Sequence, residues 1–176
     1  MKKIIYLGNM TRVAEFLITG KEAQLVAWIV EKEDLKDDVF KMMAQKSGVP
    51  FYAVSGLSEL TEVLKKISPC DLGVIGNFGI ILNSVNLKVP VDGFVNIHLG
   101  LLPEHPGRHP ILAVIAGEDE VTGVTLHRAT EKVDAGTILD RRVTAMPKNR
   151  QMTEVFQKLE VLACQILGDR LMAGAI

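Results

Sequence analysis

Asn96 and His98 stand two residues apart at the end of an apolar run, Val95-Asn96-Ile97-His98-Leu99. Residues i and i+2 of a strand face the same side. The amide and the imidazole therefore project together, with Val95 and Ile97 packed behind them. An amide N–H can donate to a developing oxyanion, and an imidazole can give or take a proton near neutral pH. Such a pair suits acyl transfer through a tetrahedral intermediate. Taken alone, it fits equally well a pair of hydrogen-bonded structural groups at a strand end. Asp134, in the loop Thr130 to Gly136, is the third candidate. A carboxylate held near His98 would raise the imidazole's pKa and fix its tautomer. Alone, Asp134 reads as a turn residue before Ala135-Gly136.

The elements that must position these groups follow from periodicity. KKIIYLG is a short buried strand ending at Gly8, followed by a helix through Val13, Phe16 and Leu17, capped by Asn9 or Thr11 and stopped at Gly20. QLVAWIVE is a second strand, and Asp34 is the expected cap of a helix running through Val39, Met42 and Met43 to Gly48. PFYAV, a helix opened by Ser58 and ended by Pro69, and the strand CDLGVIG complete the first half. Continuous apolar strands between amphipathic helices imply a parallel sheet covered on both faces. The fold class expected is α/β, a Rossmann-like, doubly wound, mainly parallel sheet forming a single domain over 1–176. The second half reads as the strand GFVNIHLG, a helix begun by Pro110, two strands flanking the Asp134 loop, and a closing helix from Met152 to Met172. In such a sheet ligands bind beyond the carboxyl ends of the strands, where Asn96 and His98 fall. Gly8 and Asn9 leave a helix N-terminus open to an anion on this reading.

Composition narrows the function. The chain has 176 residues, 48% of them hydrophobic, and a formal charge of −1. A near-neutral balance speaks against a nucleic-acid partner, which calls for a basic surplus. Cys70 and Cys164 are too far apart in sequence for a zinc knuckle. No apolar stretch reaches the roughly 18 residues of a membrane span, and the start lacks the apolar run of a signal peptide. The expectation is a cytoplasmic protein with no membrane partner. His105 and His109 have a helical metal spacing, but Pro106-Gly107 interrupts it and no third ligand is evident, so no metal is expected. His127 reads as a hydrogen-bonded strand histidine, and EKEDLKDD as a solvated charged face.

Asn96-Ile97-His98, Leu102-Pro103, Gly107, Pro110, Gly123-Val124-Thr125 and Asp134-Ala135-Gly136 together resemble the formyltransferase family that uses 10-formyltetrahydrofolate. Order and spacing agree from the first strand to at least Asp140. The resemblance implies a catalytic trio of Asn96, His98 and Asp134. It implies a folate pocket along Phe78, Gly79, Ile80, Ile81 and Leu82, with Thr130 and Glu131 from the loop before the aspartate. It also implies transfer of a formyl group to the amine of a small-molecule acceptor. The run GEDEVTGVTLH with DAGTIL is closer to the amino-sugar and methionyl-tRNA branches than to the purine branch. A slightly acidic chain that ends after one helix is expected not to act on tRNA, which favours a small acceptor such as an amino sugar. Gly100 stands where the motif often has Ser. A formyl-folate hydrolase and a non-catalytic folate-binding or interaction module are the alternatives, and a homodimer is left open.

Overall fold

The computed structural model describes residues 1–35, 38–67 and 69–176. The first half alternates strand and helix: β1 (Lys2–Gly8), α1 (Thr11–Thr19), β2 (Ala23–Glu31), α2 (Val39–Ser47), β3 (Phe51–Val54), α3 (Leu57–Ile67) and β4 (Leu72–Gly76). The second half comprises α4 (Ser84–Leu87), β5 (Phe94–His98), α5 (Pro110–Ala116), β6 (Val121–Arg128), β7 (Ile138–Ala145) and α6 (Met152–Met172). The short α4 has no apolar periodicity to announce it. It is held by Asn83, whose side chain accepts from the Asn86 N–H at 3.0 Å.

The sheet order is β3-β2-β1-β4-β5-β6-β7. β1, β2, β3, β4 and β5 pair in parallel, and β6 and β7 add on antiparallel. The winding reverses between β1 and β4, so a crevice opens at their carboxyl ends. Gly8 closes this point. Its φ is +147°, and a Cβ there would lie 1.9 Å from the Gly76 carbonyl oxygen, so β1 and β4 approach this closely only with glycine.

Both faces are covered. Val13 and Leu17 of α1, Phe40 of α2 and Val155, Leu159 and Ile166 of α6 pack on one face against Ile4, Trp28 and Val95. Leu60 and Leu64 of α3 pack on the other against Ile5, Leu7, Ile29 and Ile75. Each such side chain contributes on the order of 1.5–3 kcal/mol by leaving water. Val155, Leu159 and Ile166, spaced along one side of α6, are therefore core. Trp28 meets the rings of Phe40 and Phe51 edge-on at 5.7 and 5.5 Å. Its indole N–H donates to the Gly8 carbonyl at 2.8 Å, tying the end of β1 to β2.

Two helix starts differ from expectation. The N-cap of α1 is Met10, fully buried, whose N–H donates to the Tyr6 hydroxyl at 3.1 Å. Neither Asn9 nor Thr11 caps it by a side-chain bond. Asp34 does not cap α2 but ends a 3-10 turn over Lys32–Asp34, and α2 begins after Asp38. The reason is the same for both: the Asn9 amide donates to Asp34 Oδ1 at 2.8 Å, so each satisfies the other instead of a helix end. Of the charged run 31–38, Lys36 and Asp37 lie outside the described residues.

Candidate active site

β5 is buried between β4 and β6, and its alternation sends Val95 and Ile97 into the core on the α1/α6 face. Asn96 and His98 emerge on the opposite face at the carboxyl end, as their spacing predicts, and both line a cavity of about 520 Å³. The loop after β5 is anchored by Thr125, which pairs with His98 across the strands. Its hydroxyl donates to the Gly100 carbonyl at 2.7 Å and accepts from the Leu102 N–H at 3.0 Å. This folds the loop back so that the His105 carbonyl accepts from His98 Nε2 at 2.7 Å. Gly100 is needed here: a Cβ would lie 2.7 Å from Pro110 Cβ and 3.0 Å from His98 Nε2. A serine, common at this place in the motif, would displace one or the other.

The loop between β6 and β7 brings Asp134 to the same point. Its backbone is left-handed, at φ +53°. Oδ2 accepts from the Gly107 N–H at 2.7 Å, and Oδ1 lies 3.5 Å from both His98 Nδ1 and His127 Nε2. The side chains of His98, His127 and Asp134 are 5%, 2% and 5% exposed.

Hydrogen positions follow from the acceptors. The His105 carbonyl can only accept, so His98 carries its hydrogen on Nε2 and turns Nδ1 to Asp134. The Arg128 carbonyl takes the His127 Nδ1–H at 2.9 Å, so His127 Nε2 accepts from the Asn96 amide at 3.0 Å. That leaves Asn96 one N–H for the cavity. His127 thus orients Asn96, a role its sequence position does not disclose. The strand pairing that places His127 opposite Asn96 is antiparallel and long-range. The alternation Thr125, His127 along β6, which mirrors Asn96, His98 on β5, is the one local hint.

The electrostatics correct one expectation. The His98 pKa is lowered from its ordinary value, chiefly because burial disfavours the charged ring. The His105 carbonyl and Asp134 act in the opposite direction without overcoming it.

Phe78, Gly79, Ile80, Ile81, Leu82 and Thr130 all line the cavity. Ile81 is 59% exposed, an apolar side chain left largely open to solvent. The Gly79 N–H donates to Glu31 Oε1. Glu131 is not brought to the cavity wall. Its carboxylate accepts from the Ser84 N–H at 2.9 Å, bracing α4 against the Asp134 loop. His105 and His109 diverge: His105 Nε2 lies 3.4 Å from Asp119, whereas His109 precedes α5 and lines the cavity. Among the described residues no three histidine, cysteine or carboxylate side chains group as metal ligands, and no helix is long and apolar enough to cross a membrane.

A model of the family described as formyl transferase matches residues 12–171. The chain belongs to the formyl transferase family. The methionyl-tRNA formyltransferases of Staphylococcus aureus strains JH1 and Mu50 are 32% identical to it over 185 residues, covering 97% of this chain and 58% of theirs. The chain thus spans less than two thirds of the length of these curated relatives. The crystal structure of glycinamide ribonucleotide transformylase 1 from Symbiobacterium toebii has a TM-score of 0.83 at 18% identity, covering 97% of this chain and 86% of that one. That of phosphoribosylglycinamide formyltransferase from Bacillus halodurans has a TM-score of 0.82 at 21% identity, covering 97% and 93%. These two likenesses establish that the family member shares their fold.

Proposed function

We propose that the chain transfers a formyl group from 10-formyltetrahydrofolate to the amine of a small acceptor, with an amino sugar as one candidate class. The observation that carries this reading is the meeting of Asn96, His98 and Asp134 at one end of a cavity whose wall is Phe78 to Leu82. A flat folate ring suits the apolar side chains of Ile80, Ile81 and Leu82, with Thr130 on the facing loop. The co-substrate supplies the formyl carbon. The acceptor nitrogen bonds to it as the folate nitrogen leaves, and one proton passes from the first to the second.

The chain's own groups do the rest. Asn96 offers its free N–H to the oxyanion. His98 lies beside it, its Nδ1 within reach of the Asp134 carboxylate. Nδ1 carries no hydrogen, so it can take up the proton that the attacking amine gives off and return it to the leaving folate nitrogen, with Asp134 beside it to favour the charged ring. Burial removes competing water from this exchange, and Asp134 holds the Gly107 end of the loop in place.

Calorimetry with a 10-formyltetrahydrofolate analogue, followed by assays of formyl release with and without candidate amines, tests the proposal. Binding and amine-dependent release are expected. Release that ignores every amine would make water the acceptor, and an analogue that does not bind at millimolar concentration would end the folate reading.

The electrostatic part has its own test. In an NMR titration the His98 ring should titrate below the ordinary histidine value of about 6.5. Asp134→Asn removes the one negative charge that favours the imidazolium, so the midpoint should fall further. Formyl transfer should slow at the same time. An unchanged or higher midpoint in the variant would show that Asp134 does not act on this ring.

A further inference from the structure

His98 depends on a carbonyl that belongs to a loop. Its Nε2–H donates to the His105 oxygen at 2.7 Å, and this bond sets both the tautomer and the aim of the ring. His105 lies between β5 and α5, in a segment without helix or strand that includes Gly107 at φ +102°. Such a segment needs fastening if one of its carbonyls is to stay in place.

His105 is held at several points. Its own N–H donates to the Leu101 carbonyl at 2.8 Å. Its ring Nε2 faces Asp119 Oδ1 at 3.4 Å. One residue earlier, Glu104 pairs with Arg141 of β7 at 3.2 Å, and the same guanidinium donates to the Leu102 carbonyl. With its peptide nitrogen and its ring both held, His105 cannot turn its carbonyl from His98 without giving up one of them.

Asp119 is itself a placed residue. It lies in the turn from α5 to β6, directly after Glu118, whose φ is +58°. A non-glycine residue persists in this left-handed region only where its surroundings enforce it. Arg150 supplies the constraint. Its guanidinium donates to the carbonyls of Glu118 and Asp119 at 2.9 and 3.0 Å, and Arg150 is left-handed too, at φ +50°. The second carboxylate oxygen of Asp119 lies over Gly117, only 2.6 Å from where a Cβ would stand. The turn thus presents Oδ1 to the His105 ring.

We propose that Asp119 and His105 are positioning residues for His98. The carboxylate fixes the His105 ring, the ring fixes the carbonyl, and the carbonyl aims the imidazole. Neither residue touches the reacting atoms, and the kinetic part of the proposal rests on the formyl-transfer reading above. His98 is then set from both nitrogens, with Asp134 beside Nδ1 and this linkage on Nε2. Asp119 and His105 are both partly exposed, and ion pairs of that kind add little to stability. A small displacement of a reacting group, in contrast, costs much rate.

The test replaces Asp119 by Ala and by Asn, and His105 by Ala, in the whole chain. NMR of protein with nitrogen-labelled histidine follows the Nε2 proton of His98, assigned by its loss in His98→Gln. It should exchange slowly in the parent and at least about tenfold faster in both alanine variants. Turnover of 10-formyltetrahydrofolate is followed with the amine that supports release in the assay above, or with water where none does. Its kcat should fall about tenfold in both alanine variants, with KM for the folate and melting temperature little changed. Asp119→Asn, whose oxygen can still accept from the ring, should recover most of both losses. Asp119→Ala combined with His105→Ala should cost little more than the larger single loss, since the two act in series. Parent-like proton exchange in the alanine variants overturns the proposal, as does a parent proton that exchanges without protection. Faster exchange with unchanged kcat overturns it as well, because the aim of the ring would then not matter to the chemistry. A parent that releases no formyl group to any amine or to water removes the formyl-transfer reading instead, and proton exchange alone then decides whether the linkage holds His98.

Discussion

His98→Ala is expected to lose about a hundredfold or more in formyl transfer, the scale of a missing acid-base group, while folate affinity stays nearly unchanged. The affinity should hold because Phe78 to Leu82 and Thr130, not His98, make the wall proposed for the folate ring. The alanine variant also leaves the His105 carbonyl and Asp134 Oδ1 without the ring between them. Buried groups stranded in this way cost on the order of 1–3 kcal/mol each, so some loss of stability is expected. His98→Gln separates the two effects. A glutamine amide can still donate toward the His105 carbonyl but cannot exchange a proton near neutral pH. If it is as stable as the parent and as slow as alanine, the ring acts in the chemistry. Rates close to the parent in folded preparations of both variants would leave His98 a purely structural residue.

Asn96→Ala is expected to lose about 3 kcal/mol of transition-state stabilisation, the value of one oxyanion donor. The loss should fall on kcat, with KM little changed, because the interaction strengthens only as charge develops on the formyl oxygen. His127 makes this prediction sharper. Its Nε2 takes one Asn96 hydrogen and so aims the other. His127→Ala keeps the amide but frees its rotation, and should give an intermediate loss, again in kcat. Combining the two substitutions should cost little more than Asn96→Ala alone, since an absent amide cannot be misaimed. Additive losses in the double variant would mean that His127 contributes by some route other than Asn96.

Much of the sheet and the pair on β5 could be read from local pattern. β1 beyond Lys2 and Lys3, and β4 throughout, are apolar without interruption because both their faces are covered, and that signal needs only neighbouring residues. Asn96 and His98 could be paired because strand periodicity is two and the loop after Leu99 is plainly irregular. What escaped depends on residues brought together from afar. His127 meets Asn96 through an antiparallel register. Glu160 reaches Arg12 across 148 positions, and Asn9 reaches Asp34 rather than its own helix. The direction of the His98 shift is of the same kind. A carboxylate nearby can be guessed from sequence, but whether burial outweighs it depends on how completely the ring is covered, which only the packed fold decides. Glu131 shows the reverse case, a family position whose side chain serves α4 instead of the cavity.

Trp28 is the chain's single tryptophan, fully buried, and its indole hydrogen sits on the Gly8 carbonyl, one residue before Asn9 at the cavity's far end. Indole emission responds to the strength of that hydrogen bond and to the field across the ring. The protein therefore carries a built-in optical gauge of its β1 terminus, insulated from solvent by Phe40 and Phe51 and free of interference from any second indole. Occupancy of the cavity at this end can be followed by light alone, without labels.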